Sequence, residues 1–316
     1  LANPYFVRMA SNDNAQVITD ALGQSPTFVT IMSGFSDALA SATDGATSVG
    51  MGSTAEFEFA FGTTMGALGQ LVPHGLVSNI PDVTNNPFFN LVGHDVVPLD
   101  AGTAGMLNGA FAAYNGGLLL AQSFGVISAD EVAARTIGFA EGNNALVIED
   151  SDLTDLSSLG IPSYRQATAE DKILLSTAPI IGTMVGGNPM MLNGVTVPLD
   201  DTRVLTASEA AEIQATTAGY NATISAIANQ SGWAMFDAHA FFEELNSVGV
   251  SSGDLHLTGD LVFGGFYSLD GIHPTARGNA VIANAMMGAI DAHYGSNLSD
   301  AAVYAGDYPT NYPPDM

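Results

Sequence analysis

Apolar positions along the chain fall into two kinds of run. Some are short β-branched or aromatic stretches that end at turn residues, and others are longer, with apolar and small residues returning every three to four positions. Thr27-Phe-Val-Thr-Ile-Met32 follows Pro26 and stops at Ser33-Gly34, which predicts a buried strand feeding a loop. Gly75-Leu-Val-Ser-Asn-Ile80, ending at Pro81-Asp82, and Gly232-Trp-Ala-Met-Phe-Asp237 read the same way. Helical spacing covers Ser53 to Leu71, Asp100 to Phe124, a shorter stretch opened by Ser128-Ala-Asp-Glu131, Thr206 to Gln230, Ala238 to Leu245, and about Pro274 to Tyr294.

The helix starts carry their own signals. Ser53 and Glu56 have capping-box spacing, Asp100 and Ser128 are placed to cap, Thr206 or Ser208 opens the next long helix, and Pro274 suits a first helical turn. Strands alternating with helices predict an α/β fold with a mainly parallel sheet, the Thr27, Gly75 and Trp233 segments as central strands, and helices on both faces. Between about 145 and 198 the pattern breaks up around Gly182, Gly186, Gly187 and several prolines, so an irregular insertion of short strands and loops is expected there. No repeat or low-complexity linker divides the chain, which is read as a single domain over 1–316.

Composition narrows the partners. Six Lys+Arg against 32 Asp+Glu give a formal net charge of −26, and the basic residues are Lys172 and five arginines spread from Arg8 to Arg277. Nothing here can neutralise a phosphate backbone, so nucleic acid is excluded as a partner, and an anionic membrane surface is disfavoured by the same charge. A hydrophobic share of 47% in 316 residues is enough for a sizeable core and too much for a disordered acidic tail. The acids, 22 Asp and 10 Glu, suit a surface hydrated in salt, which suggests a saline or extracellular setting, or a merely acidic secreted protein. With zero Cys there is no disulfide framework and no thiolate chemistry, and the redox compartment stays open.

The longest apolar candidate, Ala280 to Ile290, is too short to span a bilayer, so no transmembrane segment is expected. Leu-Ala-Asn-Pro-Tyr-Phe at the N-terminus lacks an initiator Met, a basic region and an apolar region; the expectation is that something has been removed before Leu1.

The sharpest chemical signal is Ser268-Leu-Asp-Gly-Ile-His-Pro-Thr-Ala-Arg-Gly278, at the entrance to the last helix. Asp270 and His273 are three residues apart, so a turn can set the carboxylate against one ring nitrogen and leave the other facing a pocket. A hydrolytic dyad needs that arrangement: the acid fixes the tautomer and stabilises the imidazolium, and the free nitrogen takes a proton from a nucleophile. The same residues also fit a plain turn, with Asp270 capping, Gly271 at positive φ and His273 starting a helix.

Asp270-Gly-Ile-His273-Pro-Thr resembles the last block, Asp-x-x-His, of the SGNH (GDSL-type) esterases and lipases. More specifically, the chain is similar to lipase-like SGNH proteins of Bacteroidetes-type bacteria. The similarity is carried by Asn3-Pro-Tyr-Phe, Pro26-Thr-Phe, Asn79-Ile-Pro-Asp-Val83, Ala113-Tyr-Asn115, Arg165-Gln-Ala-Thr168, Gly186-Gly-Asn-Pro189 and Phe266-Tyr-Ser-Leu-Asp270, and it runs from Leu1 to Tyr312. The resemblance implies a three-layer α/β/α fold, a small ester or lipid substrate, no cofactor and no metal, and a secreted, periplasmic or cell-surface location. It also implies a nucleophilic Ser that follows the first strand in a Gly-Asp-Ser block. No Gly-Asp-Ser occurs in the chain, so that strand and block are expected upstream of Leu1, in an N-terminal fragment of the same protein.

In the family's Gly-x-Asn-Asp block this chain reads Gly34-Phe-Ser-Asp37, which puts Ser36, beside Gly34, at the oxyanion position held by Asn in the family. Loss of such a donor typically costs on the order of 10² to 10³ in kcat. The chain alone is therefore expected to carry the Asp–His half of an ester-hydrolase site. The alternative is a catalytically inactive SGNH-fold binding or cell-surface structural protein. Ser33 or Ser36 as a substitute nucleophile would lack the sharp turn that such a residue needs.

The remaining features are weaker. His94-Asp95 is an adjacent pair whose side chains point apart, and His74, His239, His256 and His293 stand without metal-ligand spacing. Asp150-Ser-Asp152 and Asp200-Asp201 could offer oxygen ligands to Ca²⁺ but lack the EF-hand pattern, and read as solvated acids. Gly186-Gly187 and Gly264-Gly265 read as turns; Met190-Met191 and Met286-Met287 read as core or pocket lining, with a methionine-lined groove near His273 the place for an acyl chain.

Overall fold

A computed structural model of the chain describes residues 4–46 and 50–312. At its centre is a three-stranded parallel sheet of β1 (Phe28–Met32), β2 (His74–Ser78) and β3 (Ala234–Phe236), in the order β1-β2-β3. The register runs from Phe28 opposite His74 to Met32 opposite Ser78, and from Ala234 opposite Leu76 to Phe236 opposite Ser78. The fold is thus mixed α/β with a parallel sheet. Of the three segments expected at the sheet's centre, only the Gly75 one lies there. The Thr27 and Trp233 segments form its two edges among the described residues, because each pairs with β2 alone.

Strand alternation sends neighbouring β2 residues to opposite faces. Val77 packs with Phe61, Met65 and Leu68 of α2 (Thr54–Gly69) and with Tyr220 and Ile224 of α5 (Ala207–Ser231), whereas Leu76 packs with Ala234, Phe236 and residues of α7 (Ala276–Tyr294). The other longer helices are α1 (Phe35–Thr43), α3 (Ala101–Ser123), α4 (Ala129–Arg135) and α6 (Ala238–Ser247). Gly75 is obligatory: a Cβ there would stand 2.2 Å from the Trp233 ring, which lies against the strand, while the Tyr294 hydroxyl bonds both its N–H and its carbonyl.

The expected caps form. Ser53 and Glu56 close a capping box, Asp100 accepts from Thr103 N and Ser128 from Glu131 N. Thr206, rather than Ser208, caps α5: its hydroxyl accepts from Glu209 N, and the Glu209 carboxylate accepts from Thr206 N. At α7 the sequence reading is corrected. The N-cap is Thr275, whose hydroxyl accepts from Gly278 N at 3.0 Å, so Pro274 precedes the helix instead of standing in its first turn. Helix α1 has no sequence signal at its start: Gly34, with φ +94°, opens it without a side-chain cap.

Residues 97–205 carry four antiparallel ladders of two or three paired positions each. Val97–Leu99 pairs with Gly142–Asn144, Val147–Glu149 with Tyr164–Gln166, Lys172–Ile173 with Val204–Leu205, and Met184–Val185 with Asn188–Leu192. Gly186 and Gly187, both at positive φ, make the turn of the last hairpin. Met190 and Met191, expected in core or pocket lining, are exposed on that hairpin, 69% and 41% respectively. Asp150, expected to be solvated, is buried: its Oδ2 accepts from Arg165 Nε at 2.5 Å, and the same guanidinium donates twice to Asp171 at 2.6 and 2.8 Å.

Among the described residues no helix is long and apolar enough to cross a membrane.

Candidate active site

The Phe266 to Pro274 segment is clamped before it reaches α7. Phe266 and Tyr267 are fully buried, the Tyr267 hydroxyl donates to the side-chain oxygens of Asn86 and Asn246, and Thr275 N bonds the Phe266 carbonyl at 2.7 Å. The loop folds back on itself through Ser268 N to the His273 carbonyl, and Phe88 N bonds the carbonyl of Gly271. Gly271 has φ +70°, and a Cβ there would meet the backbone N of Phe88 at 2.8 Å, so both conformation and space require glycine.

Within this clamp the Asp270 carboxylate does two jobs. Its Oδ1 accepts from Ser268 Oγ at 2.7 Å and from the backbone N–H of Ile272 and of His273, both at 2.9 Å; its Oδ2 is 2.7 Å from Nδ1 of His273. The turn-cap and dyad readings of the sequence are both present, on opposite oxygens of one carboxylate. Partial burial would by itself raise the Asp270 pKa, but the bonds from Ser268, the two backbone N–H groups and His273 outweigh it and hold the carboxyl well below the usual range. An ionised carboxylate can only accept, so Nδ1 of His273 carries the hydrogen and, in the neutral ring, Nε2 carries the lone pair. Among the described residues no hydrogen bond occupies Nε2, and the His273 side chain is 66% exposed.

His273 lines a cavity of about 370 Å³ at the carboxyl ends of the parallel strands. Its walls are mainly apolar: Met32 and Phe35 after β1, Ile80 after β2, Phe242 of α6, and Ile282 and Met286 of α7. Ser33 lines it too, whereas Ser36 is exposed on the first turn of α1 and is outside the lining. Gly34 separates them at the N-cap of α1, where a Cβ would stand 2.4 Å from Ile80 Cδ1; Gly34 therefore sets how closely the turn approaches the end of β2.

Other sequence candidates stand apart from this cavity. No hydrogen bond joins the side chains of His94 and Asp95 among the described residues, where no group of three or more His, Asp or Glu is arranged to hold a metal ion either. The two acid-rich spots do meet. Asp152 accepts from Ser208 Oγ at the start of α5, and burial together with Asp150, Asp152 and Asp200 pushes the carboxyl of Asp201 up against a hydrogen bond from Ser151.

The sequence reading missed the polar residues beside the cavity. Asn79, just after β2, donates to Asp237 Oδ1 at 2.7 Å and accepts from His239 N at 2.9 Å, tying the ends of β2 and β3 together next to His273. Their separation along the chain, 158 and 160 residues, leaves no local pattern to find them by. Comparison with family models, with curated proteins and with solved structures gives no match.

Proposed function

We propose that this chain is the Asp–His-bearing part of an ester hydrolase of the SGNH (GDSL) type, with a three-layer α/β/α arrangement around the parallel sheet. The observation that carries the reading is the 2.7 Å Asp270–His273 contact, with an unoccupied Nε2 at the mouth of an apolar cavity where parallel strands end. Ligands and catalytic groups collect at that end of open parallel sheets. In this reading His273 Nε2 takes the proton of the attacking hydroxyl as the oxygen bonds to the ester carbonyl carbon. Asp270 holds the ring's tautomer and offsets the imidazolium charge, and the proton then passes to the departing alcohol. The acyl-enzyme is released by water along the same path.

The nucleophilic Ser comes, in this proposal, from a Gly-Asp-Ser segment that adds a strand to β1. Support for that comes from β1 itself: among the described residues it pairs only on its β2 side, and Phe28 and Met32 on it are exposed. The competing reading is a non-catalytic binding or surface protein of the same fold. It draws on the position of Ser36, outside the cavity lining, and on the absence of a serine bonded to His273 Nε2 among the described residues.

Intact-mass measurement of the native protein, followed by assay on p-nitrophenyl esters, separates the two. With a Gly-Asp-Ser segment present, turnover should fall by at least about 10³-fold in His273→Ala, the scale on which removing a triad base acts. No turnover even with that segment present would count against the hydrolase proposal and favour the binding reading, and turnover indifferent to His273→Ala would sink the hydrolase proposal.

A further inference from the structure

The apolar cavity has a polar neighbour that shares Asn79 with it. On the far side of Asn79 lies a second cavity of about 480 Å³, walled by Asp82, Gln214 and Asn221 on one side and by Asp237, His239 and Glu243 on the other. Asn79 lines both cavities, and Glu243 in turn lines a third, open one of about 710 Å³. A ligand lying across the end of β2 would thus meet hydrocarbon on the His273 side and hydrogen-bonding groups on the other.

What the polar cavity offers is mostly acceptors. Asp82 is engaged through Oδ1 by Thr84 and through Oδ2 by Gln214 Nε2, and the Gln214 amide nitrogen also donates to Thr84 Oγ1; among the described residues no hydrogen bond takes up the Gln214 carbonyl oxygen. Asp237 uses Oδ1 for Asn79 Nδ2 and Ala240 N, leaving Oδ2, and the Glu243 carboxylate stands 3.6 Å from His239 Nε2 with most of its side chain exposed. Of the side chains here, His239, which lines this cavity, has its Nδ1 buried without a hydrogen-bond partner among the described residues.

No lysine or arginine lines the second cavity, so a phosphate or carboxylate would face three carboxylates with nothing to neutralise it. No aromatic ring apart from His239 lines it, so a quaternary ammonium would find no cage. Uncharged hydroxyl groups fit, because they donate to carboxylate and amide oxygens at no electrostatic penalty.

From this we infer that the ester hydrolysed at His273 joins an apolar acyl group, held between Met32, Ile80 and Met286, to an uncharged polyhydroxyl alcohol, a sugar or polyol, held by Gln214, Asp237 and Glu243. The inference rests on the ester-hydrolase reading for its chemistry, but the binding it requires can be measured without turnover.

Three soluble probes with one alkyl chain distinguish the possibilities: n-hexyl β-glucoside, n-hexyl phosphate and hexyltrimethylammonium, titrated into the full chain by calorimetry or ligand-observed NMR. The glucoside should bind saturably and more tightly than the other two. Gln214→Ala and Glu243→Lys should each weaken it by about tenfold, the scale of one lost hydrogen bond, and Met286→Trp should weaken all three by filling the apolar cavity. Equal binding of the three headgroups, or glucoside affinity unchanged in both Gln214→Ala and Glu243→Lys, would overturn the inference. Tighter binding of the phosphate or the ammonium would replace the polyol with that class. If His273-dependent ester turnover is found but glucoside binding is not, the hydrolase reading stands and the polyol assignment falls. Glucoside binding in a protein without turnover reverses that outcome.

Discussion

The parallel sheet and the region of short ladders are built on different physics. Around β1, β2 and β3 the cohesion is mainly apolar, with uncharged hydrogen bonds from Tyr294 and Asn79 at the strand ends: Leu76, Val77 and Ala234 are completely buried, and helices cover both faces. The ladder region has a buried apolar cluster of its own, with Leu146, Val147, Ile148, Ile173 and Val204 completely buried, but its strands pair over two or three positions only, and there charge is used inside the protein as well. Arg165 bridges Asp150 and Asp171, and Asp171 also accepts from Thr168 N and from Ala207 N at the start of α5. Arg135, fully buried, donates to the carbonyls of Thr154 and Pro162 and to Glu131. Four of the six basic residues of a chain at net charge −26, Arg135, Arg165, Lys172 and Arg203, lie in this one region. Where local hydrogen bonding is thin, a guanidinium can tie several loops at once because it carries five donors in a rigid fork.

The comparison can be broken most severely at Arg165. Arg165→Met removes one cation and leaves two buried carboxylates facing each other, so a loss of about 3–5 kcal/mol is expected in urea denaturation. A loss under about 1 kcal/mol would mean that the network does not hold the ladders together. In the sheet the corresponding lesion is a cavity: Leu76→Ala on the central strand should cost about 2–5 kcal/mol, with no dependence on salt or pH.

The smallest effect lies where the two regions join, at Glu209 in the first turn of α5. Burial, helped by Asp201 and Asp152, pushes its carboxyl up to about 6 from an ordinary 4.5, against the bonds from Thr206. A raised carboxyl favours the folded state in its protonated form. That contribution is therefore complete below pH 4.5 and is lost as pH rises through about 6. Glu209→Gln, which can still accept from Thr206 N, should gain up to about 2 kcal/mol at pH 7.5 and nothing at pH 4.5. Equal gains at both pH values would contradict the buried-carboxyl account.

The same division decides what could be read from the sequence. Ser53, Asp100 and Ser128 announced their helices because capping is chemistry between residues three apart. The sheet strands were legible as β-branched runs closed by turns, although their order was not, since pairing depends on contacts far apart in the chain. Asp270 and His273 were legible for the reason the caps were: their contact is local. Helix α1 was missed because Gly34 starts it by backbone conformation alone. Asp150 was misread because its partner Arg165 is on another strand, and the polar cavity because Asp82 and Gln214 are 132 residues apart.

The packing of Trp233 against Gly75 gives the molecule a built-in optical probe. It is the only tryptophan in the sequence, it is 3% exposed, and its ring rests on the central strand, far from Arg165 in chain connectivity and in a different apolar cluster from the ladders. Indole emission therefore reports solvent entry into the sheet, whereas circular dichroism averages over both regions. Coincident transitions from the two signals would identify the sheet and the ladders as one cooperative unit. Displaced transitions would identify two, and would show which of them melts first.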